Sequence, residues 1–180
     1  ESEFDKFDEI YKQELGSTQG CQQPELSVFR VCSSVLRNDG NAPFILHHGK
    51  VTPKVMVLFH GLSDSPYYLT SIAQALHLQG HNVVVALLPG HGKKNADQDM
   101  QDYALSDRWR EHVSNVMDFS ANLGEQRFMG GFSTGGVLAA EYMLLHPETS
   151  KGLLLFSGAL ALQPNIETLT KVWGIQWLMK

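Results

Sequence analysis

Three short, uninterrupted apolar runs constrain this chain more than any other feature: Lys54–Phe59 (KVMVLF), Asn82–Leu88 (NVVVALL) and Gly152–Phe156 (GLLLF). Each has the length of a strand, and none alternates with polar residues, so each predicts a strand buried on both faces. Helical spacing fills the intervals. Tyr68–Leu78 sets Leu69, Ile72, Ala73 and Leu76 on one face, with Gly80 placed to cap its end. Asp107–Leu123 turns Trp109, Val113, Val116 and Leu123 inward, Gln126–Gly130 reads as a short strand, and Thr134–Leu145 is a helix stopped by Pro147. Strands alternating with helices predict an α/β fold, a mainly parallel sheet with helices on both faces. Right-handed crossovers would bring the C-terminal ends of the strands to one edge, where such folds hold ligands.

Upstream, Phe4, Phe7, Tyr11 and Leu15 recur at helical spacing and predict an amphipathic helix, followed by a loop from Gly16 to Pro24. Ser27–Leu36 and Phe44–His47 read as strands about the turn residues Arg37–Asn41. The expected organisation is an N-terminal helix and loop (1–24), one α/β core (25–164) and a further helical segment (165–180). The net charge of −5 is spread along the chain without a basic stretch, which gives nucleic-acid binding no electrostatic support. No apolar run approaches the roughly 18–20 residues of a membrane span. No secretory leader opens the chain at Glu1, whose start reads as a processed end. The two cysteines, Cys21 and Cys32, are too few for a zinc site. They form either a disulfide, as in an exported protein, or a pair of free thiols. Their position in a polar segment outside the core pattern favours the disulfide, and with it an exported or periplasmic location.

The chemistry concentrates at Gly131-Phe132-Ser133-Thr134-Gly135, a G-x-S-x-G pattern. A bare match arises by chance in roughly one chain of this length in ten to twenty, so its context decides. It follows a predicted strand and opens a predicted helix. A strand that turns at once into a helix puts one serine at the apex in a strained conformation, and the residues two before and two after it must be small. Gly130 and Gly136 would give further room. The first N–H groups of the helix and its dipole favour the negative charge of acyl transfer. The competing reading is a glycine-rich turn in some other parallel α/β protein.

His60-Gly61-Leu62 leaves the KVMVLF strand, where a backbone amide could serve as a second oxyanion donor. The Leu62 and Thr134 amides are therefore the expected oxyanion hole, with His60, Gly61, Gly131 and Gly135 as supporting residues. His60 is expected to orient its loop by hydrogen bonds rather than act as the base. Pro89-Gly90-His91-Gly92 turns at the same edge, and His91 reads as a residue that packs this loop.

Together FHGLSDSPYYL, VVALLPGHG and GGFSTGG, in this order, resemble the serine α/β-hydrolases of the esterase, monoacylglycerol lipase and lysophospholipase type over about residues 43–157. The resemblance implies Ser133 as nucleophile, Leu62 and Thr134 as oxyanion donors, no metal and no organic cofactor. It implies a small ester as substrate: an acyl glycerol, a lysophospholipid or a simple carboxylester. It also implies a lid, for which Asn165–Lys180 offers an apolar stripe of Ile166, Leu169, Trp173 and Trp177; an ordinary core helix is the alternative.

In this fold the triad runs Ser, Asp or Glu, then His along the chain. After Ser133 the one histidine is His146, about 18 Å along the helix at 1.5 Å per residue. Glu141, Glu148 and Glu167 are not expected at strand ends. The chain therefore reads as an α/β-hydrolase cut before the strands that carry acid and histidine, with an uncovered sheet flank prone to self-association. A binding or interaction module without catalysis is the alternative function, and peptidase or acyltransferase chemistry would use the same turn.

Overall fold

Period-two alternation divides each apolar run between the two faces of one sheet. The computed structural model describes residues 2–21 and 28–156. Its strands are β1 (Gln19–Gly20), β2 (Val28–Cys32), β3 (Phe44–Leu46), β4 (Thr52–Phe59), β5 (Asn82–Ala86), β6 (Gly124–Phe132) and β7 (Leu153–Phe156). Its helices are α1 (Glu3–Leu15), α2 (Thr70–Leu78), α3 (Ala96–Asp99), α4 (Leu105–Ser120) and α5 (Thr134–Leu145). The sheet order is β1-β2-β3-β5-β4-β6-β7. β4 to β7 run parallel, while β1 to β3 form an antiparallel flank against β5.

Val55, Val57, Phe59, Val84, Ala86 and Met129 face one buried layer together with Tyr11, Trp109, Val113 and Leu138 from α1, α4 and α5. Met56, Leu58, Val83 and Val85 face the other, beneath Leu69 and Ala73. Both layers exclude water, which is why the sequence shows no polar alternation in these strands. Asn82 opens β5 as a buried polar node: its side chain accepts from His48 N–H (2.9 Å) and donates to the carbonyls of Lys50 and Leu123 (2.9 and 2.7 Å).

Several elements differ from the sequence reading. β6 runs longer, because it pairs with β4 from Thr52↔Gly124 to Phe59↔Gly131. β2 ends at Cys32, where Ser33 begins a turn closed by Leu36 N–H to Ser33 O (3.1 Å) and anchored by Ser33 Oγ to Leu15 O (2.7 Å). β1 falls in the expected loop; it pairs antiparallel with β2. A 3-10 turn, Pro66–Leu69, precedes α2 and shortens it. β7 is half-buried rather than fully buried, since among the described residues it has a strand neighbour on one side alone. Glu167 and the expected lid segment lie outside the described residues. No helix among the described residues is long and apolar enough to cross a membrane, and no group of three or more His, Cys, Asp or Glu there could hold a metal ion.

Cys21 and Cys32 are joined in a disulfide, with Cα atoms 5.6 Å apart. The polar setting expected for them needs correcting: Cys32 is buried and belongs to the larger core layer. The bond closes a sequence separation of 11 residues, for which loss of chain entropy in the unfolded state gives about 3 kcal/mol. Reduction is expected to lower the unfolding free energy by about that much. Urea titration with and without reductant checks this, and an unchanged midpoint would contradict it.

Candidate active site

β6 ends at Phe132 and α5 begins at Thr134, leaving Ser133 alone at the junction. Ser133 has φ 49° and ψ −114°, and among the described residues it is the one non-glycine with positive φ. Such backbone costs roughly 1–3 kcal/mol and persists where its surroundings leave no alternative. Here Ser133 N–H donates to Phe156 O on β7 (3.1 Å), and Ser133 O accepts from Val137 N–H (3.1 Å). The neighbouring glycines have no room for a side chain. A Cβ on Gly131 would lie 2.3 Å from Gly135 C, and one on Gly135 would lie 2.2 Å from Phe59 O and 2.5 Å from His60 O. Gly130 serves a different purpose from the one expected: its missing Cβ would strike Leu154 O at 2.4 Å, so it allows close pairing with β7. Ser133 is half-buried, and Thr134 is buried at the first position of α5.

The exit of β4 lies against this turn, since Gly135 touches the carbonyls of Phe59 and His60. Gly61 sits beside Phe132; a Cβ there would be 3.0 Å from the Phe132 ring and 2.5 Å from the Asp64 carboxylate. His60 is fully buried. Its Nε2 accepts from Leu88 N–H (3.0 Å), which leaves Nδ1 to donate to Gly61 O (2.8 Å). Burial, with His91 nearby, pushes its pKa down to about 3, so the ring is neutral and both nitrogens are occupied. Gly61 O also accepts from Asp64 N–H (3.2 Å). This carbonyl shares a planar trans peptide with the Leu62 N–H, which must therefore point the opposite way. No other described residue accepts a hydrogen bond from the amide of Leu62 or of Thr134.

The loop after β5 holds the next residue of the β4 exit. His91 Nε2 lies 2.8 Å from Leu62 O, and its Nδ1 lies 3.0 Å from Pro89 O. Pro89 O also accepts from the Trp109 indole (2.8 Å), and a neutral His91 has a single N–H to share between Leu62 O and Pro89 O. Burial lowers the His91 pKa, opposed by these carbonyls.

His146 stands at the exposed C-terminal end of α5 beside Tyr142. Glu141 pairs with Arg110 (3.0 Å), and Glu148 is exposed. The structure brings none of these to Ser133. Two residues that sequence reasoning passed over do bear on the site: Tyr11 and Glu14 of α1. Tyr11 Oη accepts from Leu87 N–H (3.3 Å), and Glu14 Oε1 accepts from Gly90 N–H (2.8 Å). Their partners are 76 residues away, so no local pattern announces them.

A family model described as "Serine aminopeptidase, S33" (Hydrolase_4) matches residues 51–180. Among solved structures, one reported for LipS and LipT, two metagenome-derived lipolytic enzymes, aligns at 23% identity and TM-score 0.63, covering 76% of this chain and 53% of that one. The monoacylglycerol lipase of Paleococcus ferrophilus aligns at 24% identity and TM-score 0.54, covering 69% and 49%. The thioesterase domain from the curacin biosynthetic pathway aligns at 18% identity and TM-score 0.53, covering 88% and 53%. At these identities the likeness shows the fold, and the chain spans about half the length of each of these structures. A comparison with curated proteins finds no match. With more than two thirds of its residues inside the family model, the chain belongs to the α/β-hydrolase family described as serine aminopeptidase S33.

Proposed function

We propose that the protein hydrolyses small carboxylic esters (an acyl glycerol, a lysophospholipid or a simple carboxylester) through an acyl-enzyme on Ser133. The observation that carries this reading is the strained backbone of Ser133, held between two glycines at a strand–helix junction. Ser133 Oγ attacks the acyl carbon while a base takes its proton. The carbonyl oxygen becomes an oxyanion, which the Leu62 and Thr134 amides stabilise. Collapse expels the alcohol with that proton, and water then releases the acid. His60 supports the donor from behind, since its hydrogen bond to Gly61 O sets the direction of the Leu62 N–H. Neither metal nor organic cofactor enters this scheme. We expect the triad acid and histidine in the part of these structures' length that the chain does not span.

A second reading, cleavage of N-terminal amino acids from peptides, is favoured by the description of the matching family. Both use the same serine and differ in leaving group. The test is a fluorophosphonate probe on the intact protein, with p-nitrophenyl esters and aminoacyl p-nitroanilides as substrates. Labelling of Ser133, its loss in Ser133→Ala, and ester turnover well above anilide turnover are expected. Labelling elsewhere with Ser133 silent would overturn the assignment, and the reverse substrate preference would select the peptidase reading.

A further inference from the structure

We infer that the N-terminal helix α1, which lies outside the region matched by the family model, positions the oxyanion loop through Glu14. This rests on the proposed role of the Leu62 amide. The Glu14 side chain is 11% exposed, and it ion-pairs with Lys93 (2.7 Å) and with Arg108. Those partners hold further carboxylates: Lys93 reaches Asp99 (2.7 Å) and Arg108 reaches Asp102 (3.1 Å). Glu14 is thus fixed in place at the start of the loop after β5, where its Oε1 takes the N–H of Gly90. One turn earlier on the same face of α1, Tyr11 takes the N–H of Leu87.

The segment 87–91 gripped in this way is the one that governs the β4 exit. Leu88 N–H fixes the tautomer of His60, which holds Gly61 O. His91 holds Leu62 O. The two carbonyls flanking Leu62 are therefore pinned from one loop, and that loop is anchored to α1. Gly90 has φ +79°, with Asp99 and Leu105 side-chain atoms 3.1 Å from where a Cβ would be, so its peptide has little freedom to find another acceptor. Loss of Glu14 leaves this N–H unpaired in a half-buried site and loosens the segment that carries His91. Misplacement of a catalytic donor by about 1 Å costs on the order of a hundredfold in rate.

Steady-state ester hydrolysis by the intact protein tests this, with turnover expressed per Ser133 titrated to completion by fluorophosphonate. Glu14→Ala is expected to lower kcat by about tenfold with KM within about twofold, as for a weakened transition-state donor. Glu14→Gln keeps an oxygen for Gly90 N–H and should restore most of the rate, since Lys93 and Arg108 retain Asp99 and Asp102. His91→Leu should lower kcat by about a hundredfold, and His91→Gln, whose amide nitrogen can replace Nε2–H, should recover most of it. Inhibition by an alkyl boronic acid, a tetrahedral mimic, should weaken in step with kcat/KM. Gln13→Ala, exposed on the same helix, should leave turnover as it is. A purely structural helix would give Glu14→Ala a lower melting temperature with unchanged turnover per titrated serine and unchanged boronate inhibition, and that result overturns the inference. Full turnover by Ser133→Ala would instead remove the reading of the site on which it rests.

Discussion

Gly135→Ala is expected to destabilise the fold by about 3 kcal/mol or more, the upper range for overpacking a site that cannot relax. The added Cβ would fall 2.2 Å from Phe59 O and 2.5 Å from His60 O. Both are backbone atoms at the end of β4, which is paired with β5 on one side and β6 on the other, so neither can move without breaking the central ladder. Gly80→Ala is the matched control. Gly80 has φ +90° but nothing within 4 Å of a Cβ, so alanine there bears the left-handed backbone cost alone, about 1–2 kcal/mol. Urea unfolding of both variants separates the steric term from the conformational one. Equal losses would mean that α5 can slide away from β4, and the close contact would then not explain the glycine. Where Gly135→Ala still folds, α5 must have shifted, taking Ser133 and the Thr134 amide with it, so probe labelling should fall as well.

How much of this could be read from sequence depends on the range of the interaction. The strand–turn–helix at Ser133 was legible because its causes are local: a short strand, two glycines at fixed spacing, and a helix, Thr134–Leu145, that stops ahead of Pro147. β4 and β5 were legible because two buried faces leave no polar residue to interrupt the run. β1 was not, since a two-residue strand exists through its pairing with β2 alone. The half-burial of β7 was hidden too: GLLLF records what the residues prefer, whereas exposure depends on whether another element lies alongside. The sequence put His60 and His91 at the sheet edge where Ser133 also lies, and it could not show which atoms they hold. The contribution of α1 was least legible of all. Tyr11 and Glu14 look like an ordinary buried aromatic and an ordinary surface acid until β5 and its loop are brought beside them.

A polypeptide of residues 1–180 is expected to hydrolyse p-nitrophenyl acetate and butyrate no faster than its own Ser133→Ala variant. The chain has eight histidines, and none is free to act as base. His47, His48, His77 and His81 lie around the N-terminal end of β5, where His48 stacks on His77 (3.8 Å between ring centres), at the edge opposite Ser133. His112 is buried against Tyr11, with its pKa pushed down to about 4 by burial. His146 is at the far end of α5. His60 and His91 are at the correct edge, but their ring nitrogens face backbone groups: Leu88 N–H and Gly61 O for one, Leu62 O and Pro89 O for the other. Recruiting His60 as base would take Nε2 from Leu88 N–H, and recruiting His91 would turn Nδ1 away from Pro89 O; either move shifts a ring whose other nitrogen holds a carbonyl beside Leu62. Loss of the histidine from a serine triad costs roughly six orders of magnitude in turnover. What remains is binding and the two amides, worth roughly 10³–10⁴ over water in such deletions, and that residue is too slow to register above background hydrolysis of activated esters. The measurement is initial-rate turnover by the folded 180-residue polypeptide beside its Ser133→Ala variant across pH 6–9. A rate well above the variant would place a working base within these residues. His91 would be the first to replace, because Pro89 O keeps the Trp109 indole and Nδ1 is the nitrogen it could release at least cost.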